Sequence, residues 1–458
     1  MASLEKNLTN MLSQYVHSLN YDDLPVHVVA YTKLLVMDYL ASAMAGYKVN
    51  QKFNKIAQEV IGGMGGKPES TVFFGGGQLP AAHAAFLNAV YGHGADLDDG
   101  HRTAQGHAGV TVIPAVLALA ELKKASGKDI ITAIAAGYDI YVRLSNAIMP
   151  SHFFRGFHGT GTVGAVAAGA AAAKILGLSE DGTRRSISLA AVQASGLFEV
   201  TESGQMAKPI NPGNAVRTGI LSALFAQAGS DAPLEPLEGK KGFLRAFADQ
   251  VDLELMLRDL GKKFMITTCY IKIYPACRHI HAPVDIAIGL RKKGLPPLEQ
   301  IEKIRIYIYP AAIFNAGQIS EPDDEDGAKF SITYATATAL LTGNFTLEDL
   351  EAARSMSDEV RACIRKMELV SEPELENREA NIRGARIEAI QKDGTVLTLA
   401  VDLPKGDPEV PLEADDMREK LRFCGKGIYS EQIQQSIYQK VMELEQLNDL
   451  ERLIELLS

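Results

Sequence analysis

Cysteine is scarce. Cys269, Cys277, Cys363 and Cys424 are the full complement of a 458-residue chain, and no two of them form a C-x-x-C pair. Four dispersed thiols do not make a disulfide scaffold, and a paired-C-x-x-C zinc site has no residues to use. The scarcity points to a reducing, cytoplasmic setting. Excess positive charge is missing as well: 56 acidic residues against 46 basic ones leave a formal net charge of −10. That sign argues against a nucleic-acid partner, and no zinc finger, RNP-like or arginine-rich segment is present. The N-terminal MASLEKNLTNMLSQY lacks the uninterrupted apolar core of a secretory signal. The nearest approach to a membrane run, GTGTVGAVAAGAAAA at 159–173, is weakly apolar and ends at Lys174. A soluble protein with no membrane partner is expected. H-E-x-x-H, a Walker A lysine loop and a G-x-S-x-G elbow are also absent. Kinase chemistry and covalent serine hydrolysis therefore lack their residues.

What the chain does have is ordinary globular material, 47% hydrophobic and 22% charged. Its length is about three times a ~150-residue domain, so two domains are expected. Up to about residue 258 the apolar residues recur at helical spacing almost throughout. The spacing predicts helices over 6–19, 25–46, 51–62, 80–92, 110–125, 128–149, 161–176, 182–198 and 213–228. A short TVFF at 71–74 interrupts them. Near residue 264 the character changes. FMITTCYIKIYP (264–275) and KIRIYIY (303–309) are β-branched and aromatic and read as strands. RGARIEAI and TVLTLAVDL flank KDG at 392–394 and read as a hairpin. Helices return at 281–292, 327–341 and 346–356, and the charged tail, 414–458, is helical. The fold class expected is mainly α: a large all-helical domain, 1–266 plus 406–458, with a smaller α+β domain inserted at 267–405. That segregation excludes a doubly wound parallel sheet and a TIM barrel.

Chemistry is concentrated in a few places. Asp96 to His107, ADLDDGHRTAQGH less its first alanine, packs three carboxylates, two imidazoles and a guanidinium into twelve residues between two apolar helices. Buried there, such charges must be paired or hydrogen-bonded; exposed, they would be a polar connection. Asp96, Asp98, Asp99, His101 and His107 are all candidate metal ligands by type. GTGTVG at 159–164 matches G-x-G-x-x-G, but no strand precedes it, so dinucleotide binding is not expected. The glycines instead open a helix just after Arg155 and His158, a good seat for a carboxylate. In GQMAKPINPGNAVR, 204–217, Lys208 stands before a proline-stiffened turn with Arg217 downstream. It is either a carboxylate anchor or a surface loop lysine. IKIYPACRHIH, 271–281, crowds Lys272, Tyr274, Arg278, His279 and His281 at the domain junction. His279 and His281 could ligate a metal from a strand, but no acidic third ligand is near. His83 reads as a structural histidine, whereas His93 adjoins the acidic segment.

These segments resemble the MmgE/PrpD superfamily. D-x-D-D-G-H-R…H-A-G, F-H-G-T-G-T-V-G, G-Q-M-A-K-P-I-N-P-G-N-A and I-K-I-Y-P-A-C-R-H-I-H occur in that family's order. The superfamily contains 2-methylcitrate dehydratase, cis-aconitate decarboxylase and iminodisuccinate epimerase. The resemblance implies a helical domain with a smaller α+β lid, a homodimer, and an active site in the cleft between domains. It also implies small di- or tricarboxylate substrates, with no organic cofactor, iron–sulfur cluster or metal. Matched residue by residue, the catalytic positions resemble Asp96, His107, His158, Lys208 and Lys272. Two positions depart from the family pattern. Gly100, followed by His101 and Arg102, stands where threonine and then an aromatic are usual, and Cys277 stands where the decarboxylase carries histidine. Both departures weigh against cis-aconitate decarboxylation.

Removing a proton beside a carboxylate builds a second negative charge next to the first. That step needs cations aimed at the developing charge and a base of suitable pKa. Lys208, Lys272, Arg278 and Arg102 can supply the positive potential, and Arg102, His101, Arg278, Tyr274 and His281 are the expected substrate contacts. His158 and His107 can exchange protons near neutrality, with Asp96 orienting a histidine or acting as base. Loss of a β-hydroxyl after proton removal makes a dehydratase, which is the first expectation. Return of the proton on the other face makes an epimerase, and loss of carbon dioxide makes a decarboxylase. A non-catalytic carboxylate binder is the remaining alternative.

Overall fold

Apolar spacing of period 3.6 carries most of the architecture seen in the computed structural model, which describes residues 7–201, 207–377 and 382–458. Residues 1–6 and Gly204–Met206 of the lysine motif lie outside the described residues. The chain forms two compact units, Met1–Tyr270 with Met417–Ser458, and Ile271–Asp416.

The first unit begins with α1 (Leu8–Ser18), α2 (Val26–Val49) and α3 (Gln51–Gly63). A minimal hairpin, β1 (Ser70–Thr71) with β2 (Gln78–Leu79), follows. Next come α4 (Ala81–His93), α5 (Gly109–Lys123), α6 (Gly127–Ile148), α7 (Ser151–Phe154) and α8 (Gly159–Ile175). Then α9 (Glu180–Gln193), α10 (Ile210–Gln227), α11 (Phe243–Phe247) and α12 (Leu253–Leu257) complete this stretch. Local chemistry sets several starts. Ser126 accepts from the Asp129 N–H while Asp129 accepts from the Ser126 N–H, a reciprocal cap that opens α6. α8 lies at the centre, packed against α5, α6, α9 and α10. Its alanines and glycines are buried along almost the whole helix, which lets neighbouring backbones come close on every side. α2 is long and apolar enough to span a membrane by length and composition, yet 83% of that window is buried inside the fold.

The second unit holds α13 (Arg278–Lys292), β3 (Ile301–Ile308), α14 (Pro310–Ala316), α15 (Glu325–Ala328) and α16 (Ile332–Thr342). After them come α17 (Leu347–Ala352), α18 (Asp358–Ile364), β4 (Met367–Ser371), β5 (Glu376–Asn377), β6 (Ile382–Arg383), β7 (Ala385–Gln391) and β8 (Val396–Val401). The main sheet runs β4-β3-β7-β8, with β3 parallel to β4 and antiparallel to β7. Alternation explains β3: Ile304, Ile306 and Ile308 point inward, while Arg305 and Tyr307 take the other face. The KDG turn joins β7 to β8 with Gly394 at φ +85°, and α13 covers both strands. The chain then returns through α19 (Ala414–Gly425), α20 (Glu431–Met442) and α21 (Glu451–Leu457), and Met417 onward belongs to the first unit. The protein is mainly α.

One expectation fails. Residues 264–275 do not form a strand: Met265–Thr268 is a short 3-10 helix, and Tyr270 makes only an isolated bridge to Gly100. Thr267 and Thr268 turn their hydroxyls back onto the carbonyls of Phe264 and Met265. The Met265 N–H is taken by Asp139. Those bonds draw the backbone away from a ladder despite its β-branched composition.

Candidate functional site

The acidic segment is the connection between α4 and α5, and it is buried. Asp98 and Asp99 are 1% and 2% exposed. Asp96 sits at φ +53°, a left-handed conformation that aspartate tolerates better than most residues and that turns the chain sharply off the end of α4. His93, the last residue of α4, and His107 both direct Nδ1 toward Asp98 Oδ2, at 2.8 and 3.2 Å. His107 Nδ1 also lies 2.7 Å from the Asp99 carbonyl oxygen. Burial would push the Asp98 carboxyl up, but the two imidazoles hold it well below the usual range, so it stays ionised. His93 goes the other way: burial lowers it to about 4, and nearby Lys208 adds to the shift, so its ring is neutral. The two rings meet edge-on with centroids 4.8 Å apart.

Asp99 faces the interior. It accepts from the Gly109 N–H at 3.1 Å and from the Tyr138 hydroxyl at 3.1 Å. Burial, reinforced by Asp38 and Asp98, raises its pKa well above normal. The neighbouring Asp38 is pushed up to about 6 by burial, partly offset by its ion pair with Lys420. Lys420 also donates to the Leu97 carbonyl at 2.9 Å, which ties α19 to the middle of the acidic segment.

His158 occupies the N-cap position of α8, preceded by α7 and a turn and not by a strand, so GTGTVG serves helix packing. The His158 ring is edge-on to Phe198, and its centroid is 6.2 Å from that of His93. Its Nδ1 lies 3.0 Å from Asn211 Nδ2 in the first turn of α10. Burial, then Lys208, then the histidines His93, His107 and His152 press its pKa well below the ordinary value. Lys208 pairs with Asp96 at 2.8 Å, both side chains largely buried. The structure thus gathers Asp96, His107, His158 and Lys208 within one unit. A His158 ring held neutral, the His107 imidazole, the Lys208–Asp96 pair and the ionised Asp98 carboxylate stand together, the equipment for moving a proton beside an anionic substrate.

His93, Asp98 and His107 offer ligand atoms within 4.8 Å of one another, close enough to share an ion. The Nδ1 atoms of both rings already meet Asp98 Oδ2 and the Asp99 carbonyl, which links the three side chains as a carboxylate–imidazole relay, while His93 Nε2 and Asp98 Oδ1 are buried without a hydrogen-bond partner among the described residues. Among the described residues His279 and His281 join no cluster of metal-ligating groups: the first meets the Tyr309 hydroxyl and the Arg383 guanidinium, the second the Arg278 guanidinium.

The expected substrate contacts divide. His101 has both nitrogens committed, Nδ1 to the Ala104 N–H at 3.1 Å and Nε2 to Thr268 Oγ1 at 2.9 Å. Burial lowers its pKa, and Arg102 beside it adds to the shift. In the second unit Lys272 is 2% exposed and sits near His279. Tyr274 donates to Asp285 at 2.7 Å. Arg278 binds the Pro404 and Lys405 carbonyls, lies 3.2 Å from Asp407 and donates to His281 Nδ1. These three, Tyr274, Arg278 and His281, form a buried network that fastens the 404–407 turn to α13. Gly100, the departure from the family pattern, faces Tyr270: a Cβ there would lie 2.5 Å from the tyrosine oxygen. The phenol fills the space a side chain at 100 would take.

Sequence reading sets His93 beside the acidic segment, five residues before Asp98, without giving it a role, and misses two further participants. Asn211 and Tyr138 carry no such signal, because their partners lie 53 and 39 residues away.

Compared with known proteins, residues 10–256 match the MmgE/PrpD N-terminal domain and residues 274–446 the MmgE/PrpD C-terminal domain. The cis-aconitate decarboxylase-like protein oryM of Aspergillus oryzae is 28% identical, with 99% of this chain and 98% of that protein covered. The cis-aconitate decarboxylase of Aspergillus terreus is 27% identical over 100% of this chain and 97% of its own length. The human cis-aconitate decarboxylase is 27% identical over 99% and 95%.

Proposed function

The chain belongs to the MmgE/PrpD family, and on that premise we propose that it is a cofactor-independent lyase of small di- or tricarboxylates. The observation that carries the reading is the buried meeting of His107, His158 and the Lys208–Asp96 pair around the Asp98 relay. His107 is the base: its Nδ1–H is spent on the Asp99 carbonyl, which leaves Nε2 to receive a proton. Lys208 offsets the charge that grows on the substrate carboxylate, and a desolvated ammonium does this far better than one in water.

The finer reading is dehydration of a hydroxylated substrate, in which an α-proton leaves and a β-hydroxyl follows. A second reading, decarboxylation of a cis-aconitate-like substrate, is supported by end-to-end similarity to proteins of that name. Both pass through a carbanion conjugated with a carboxylate, so one set of side chains serves either. The proposal includes a cytoplasmic homodimer, which sedimentation velocity tests.

Incubation with methylcitrate, citrate, cis-aconitate, tartrate-like and aspartate-derived diacids in deuterated water separates the readings. Dehydration appears as alkene absorbance, decarboxylation as carbon dioxide, epimerisation as deuterium at Cα. Binding without any of these signals would overturn the lyase assignment. Chelator treatment is expected to leave turnover unchanged, and a stoichiometric ion whose removal abolishes activity would contradict that.

A further inference from the structure

We propose that Asn211 is a positioning residue that holds the proton of His158 on Nε2, making His158 a neutral hydrogen-bond donor to the developing charge and not a proton shuttle. The inference rests on the lyase reading for its catalytic consequence, but its structural half stands alone. Asn211 Nδ2 lies 3.2 Å from the Leu197 carbonyl oxygen and 3.0 Å from His158 Nδ1. A carbonyl oxygen can only accept, so the amide must turn its nitrogen, not its oxygen, to Leu197. The second hydrogen on that nitrogen then points at His158 Nδ1, which must present a lone pair. A neutral imidazole with a lone pair on Nδ1 carries its hydrogen on Nε2.

His107 has the reverse arrangement. Its Nδ1 faces the Asp99 carbonyl, an acceptor, so Nδ1 bears the hydrogen and Nε2 the lone pair. The two histidines are therefore set as opposite tautomers by acceptors and donors fixed in the fold. His107 takes a proton, and His158 offers a hydrogen bond. A neutral ring with its hydrogen on Nε2 performs the second task without first having to gain a proton. Burial and then the Lys208 ammonium, from the turn before α10, keep it neutral; the other titratable groups facing it are His93 from α4, His107 from the acidic segment and His152 from α7. The start of α8, where His158 is the N-cap, adds the positive end of a helix dipole. Asp96 and Asp98, the nearby carboxylates, are held by Lys208 and by the His93–His107 pair.

Asn211→Asp reverses the donor. A carboxylate at 211 accepts from Nδ1, so the neutral ring moves its hydrogen off Nε2 and its pKa rises. Losing one preorganised donor costs about 10²–10³ in kcat. Asn211→Asp should show a loss of that order at high pH and recover as pH falls, because the imidazolium again carries a hydrogen on Nε2. Asn211→Leu, which neither donates nor accepts, should lose less and show no such recovery. Histidine-selective ¹⁵N spectra of the unmodified protein, with His158 assigned through His158→Gln, should show a bare Nδ1 and a protonated Nε2. A protonated Nδ1 overturns the proposal, as does a folded Asn211→Asp protein with unchanged kcat and pH profile. If Asn211→Asp does not fold, the spectra and Asn211→Leu decide. If no diacid is turned over, the lyase reading fails while the spectra still judge the tautomer.

Discussion

At His101 burial lowers the imidazole pKa to about 3, and Arg102 and Lys263 reinforce the shift. Above about pH 6.5 the ring is neutral in both folded and unfolded chains. As pH falls below that value the unfolded ring takes a proton that the folded ring refuses. Stability is therefore lost progressively between about 6.5 and about 3. Glutamine can accept from Ala104 and donate to Thr268 without titrating. The stability margin of the native protein over His101→Gln should shrink as pH drops from 7 toward 5, read from urea midpoints; parallel midpoints would show that the ring titrates normally. Gly106 supplies a second test at this scale. A Cβ there would lie 2.1 Å from the Tyr141 hydroxyl oxygen and 3.3 Å from the carbon bearing it. Gly106→Ala should cost about 1–3 kcal/mol. Adding Tyr141→Phe removes the colliding oxygen, so the double variant should be more stable than the sum of the single losses. Strict additivity in a double-mutant cycle would exclude the clash.

Among the elements, α19 has a role its sequence does not advertise. Met417 and Leu421 are buried apolar residues of an ordinary amphipathic helix, but Lys420 is buried as well. It pairs with Asp38 of α2 and holds the Leu97 carbonyl. Two charges at 0% and 1% side-chain exposure exchange hydration for each other, and removing one strands its partner. Lys420→Met should destabilise by about 3–5 kcal/mol in thermal or urea unfolding. Asp38→Asn together with Lys420→Met should recover much of the loss. Equal destabilisation of single and double variants would mean the pair is not what α19 contributes.

For the whole molecule, the lysines expected to grip substrate lie in different units, Lys208 in the first and Lys272 in the second. Lys208→Ala and Lys272→Ala are each predicted to raise KM and lower kcat, because a carboxylate that gains charge loses stabilisation beyond simple binding. A change in KM alone would reduce either lysine to a ground-state contact. Lys208→Ala also leaves Asp96 without its ion pair, so its folding must be checked by thermal melting beside the kinetics.

The helices of the first unit were legible because their apolar spacing is local: α2, α4, α6 and α8 begin and end within a few residues of the expected positions. The β7–β8 hairpin was legible for the same reason, its turn being written in KDG. The 264–275 segment was not, since threonine hydroxyls and Asp139 compete for its backbone from places that composition does not reveal. At the site, the resemblance to the family's motifs marked Asp96, His107, His158, Lys208 and Lys272. Their states were beyond reach. Whether Asp99 is charged, which nitrogen of His158 bears hydrogen, and whether Arg278 is spent on the chain itself all depend on distant partners. Those partners are Asp38, Asn211 and the Pro404–Lys405 carbonyls. The amino-acid sequence by itself determined a mainly helical chain and the inventory of acids, bases and cations. Only the tertiary structure decided protonation, tautomer and availability, because inside a protein each polar group is governed by whichever partner the fold brings within about 3 Å.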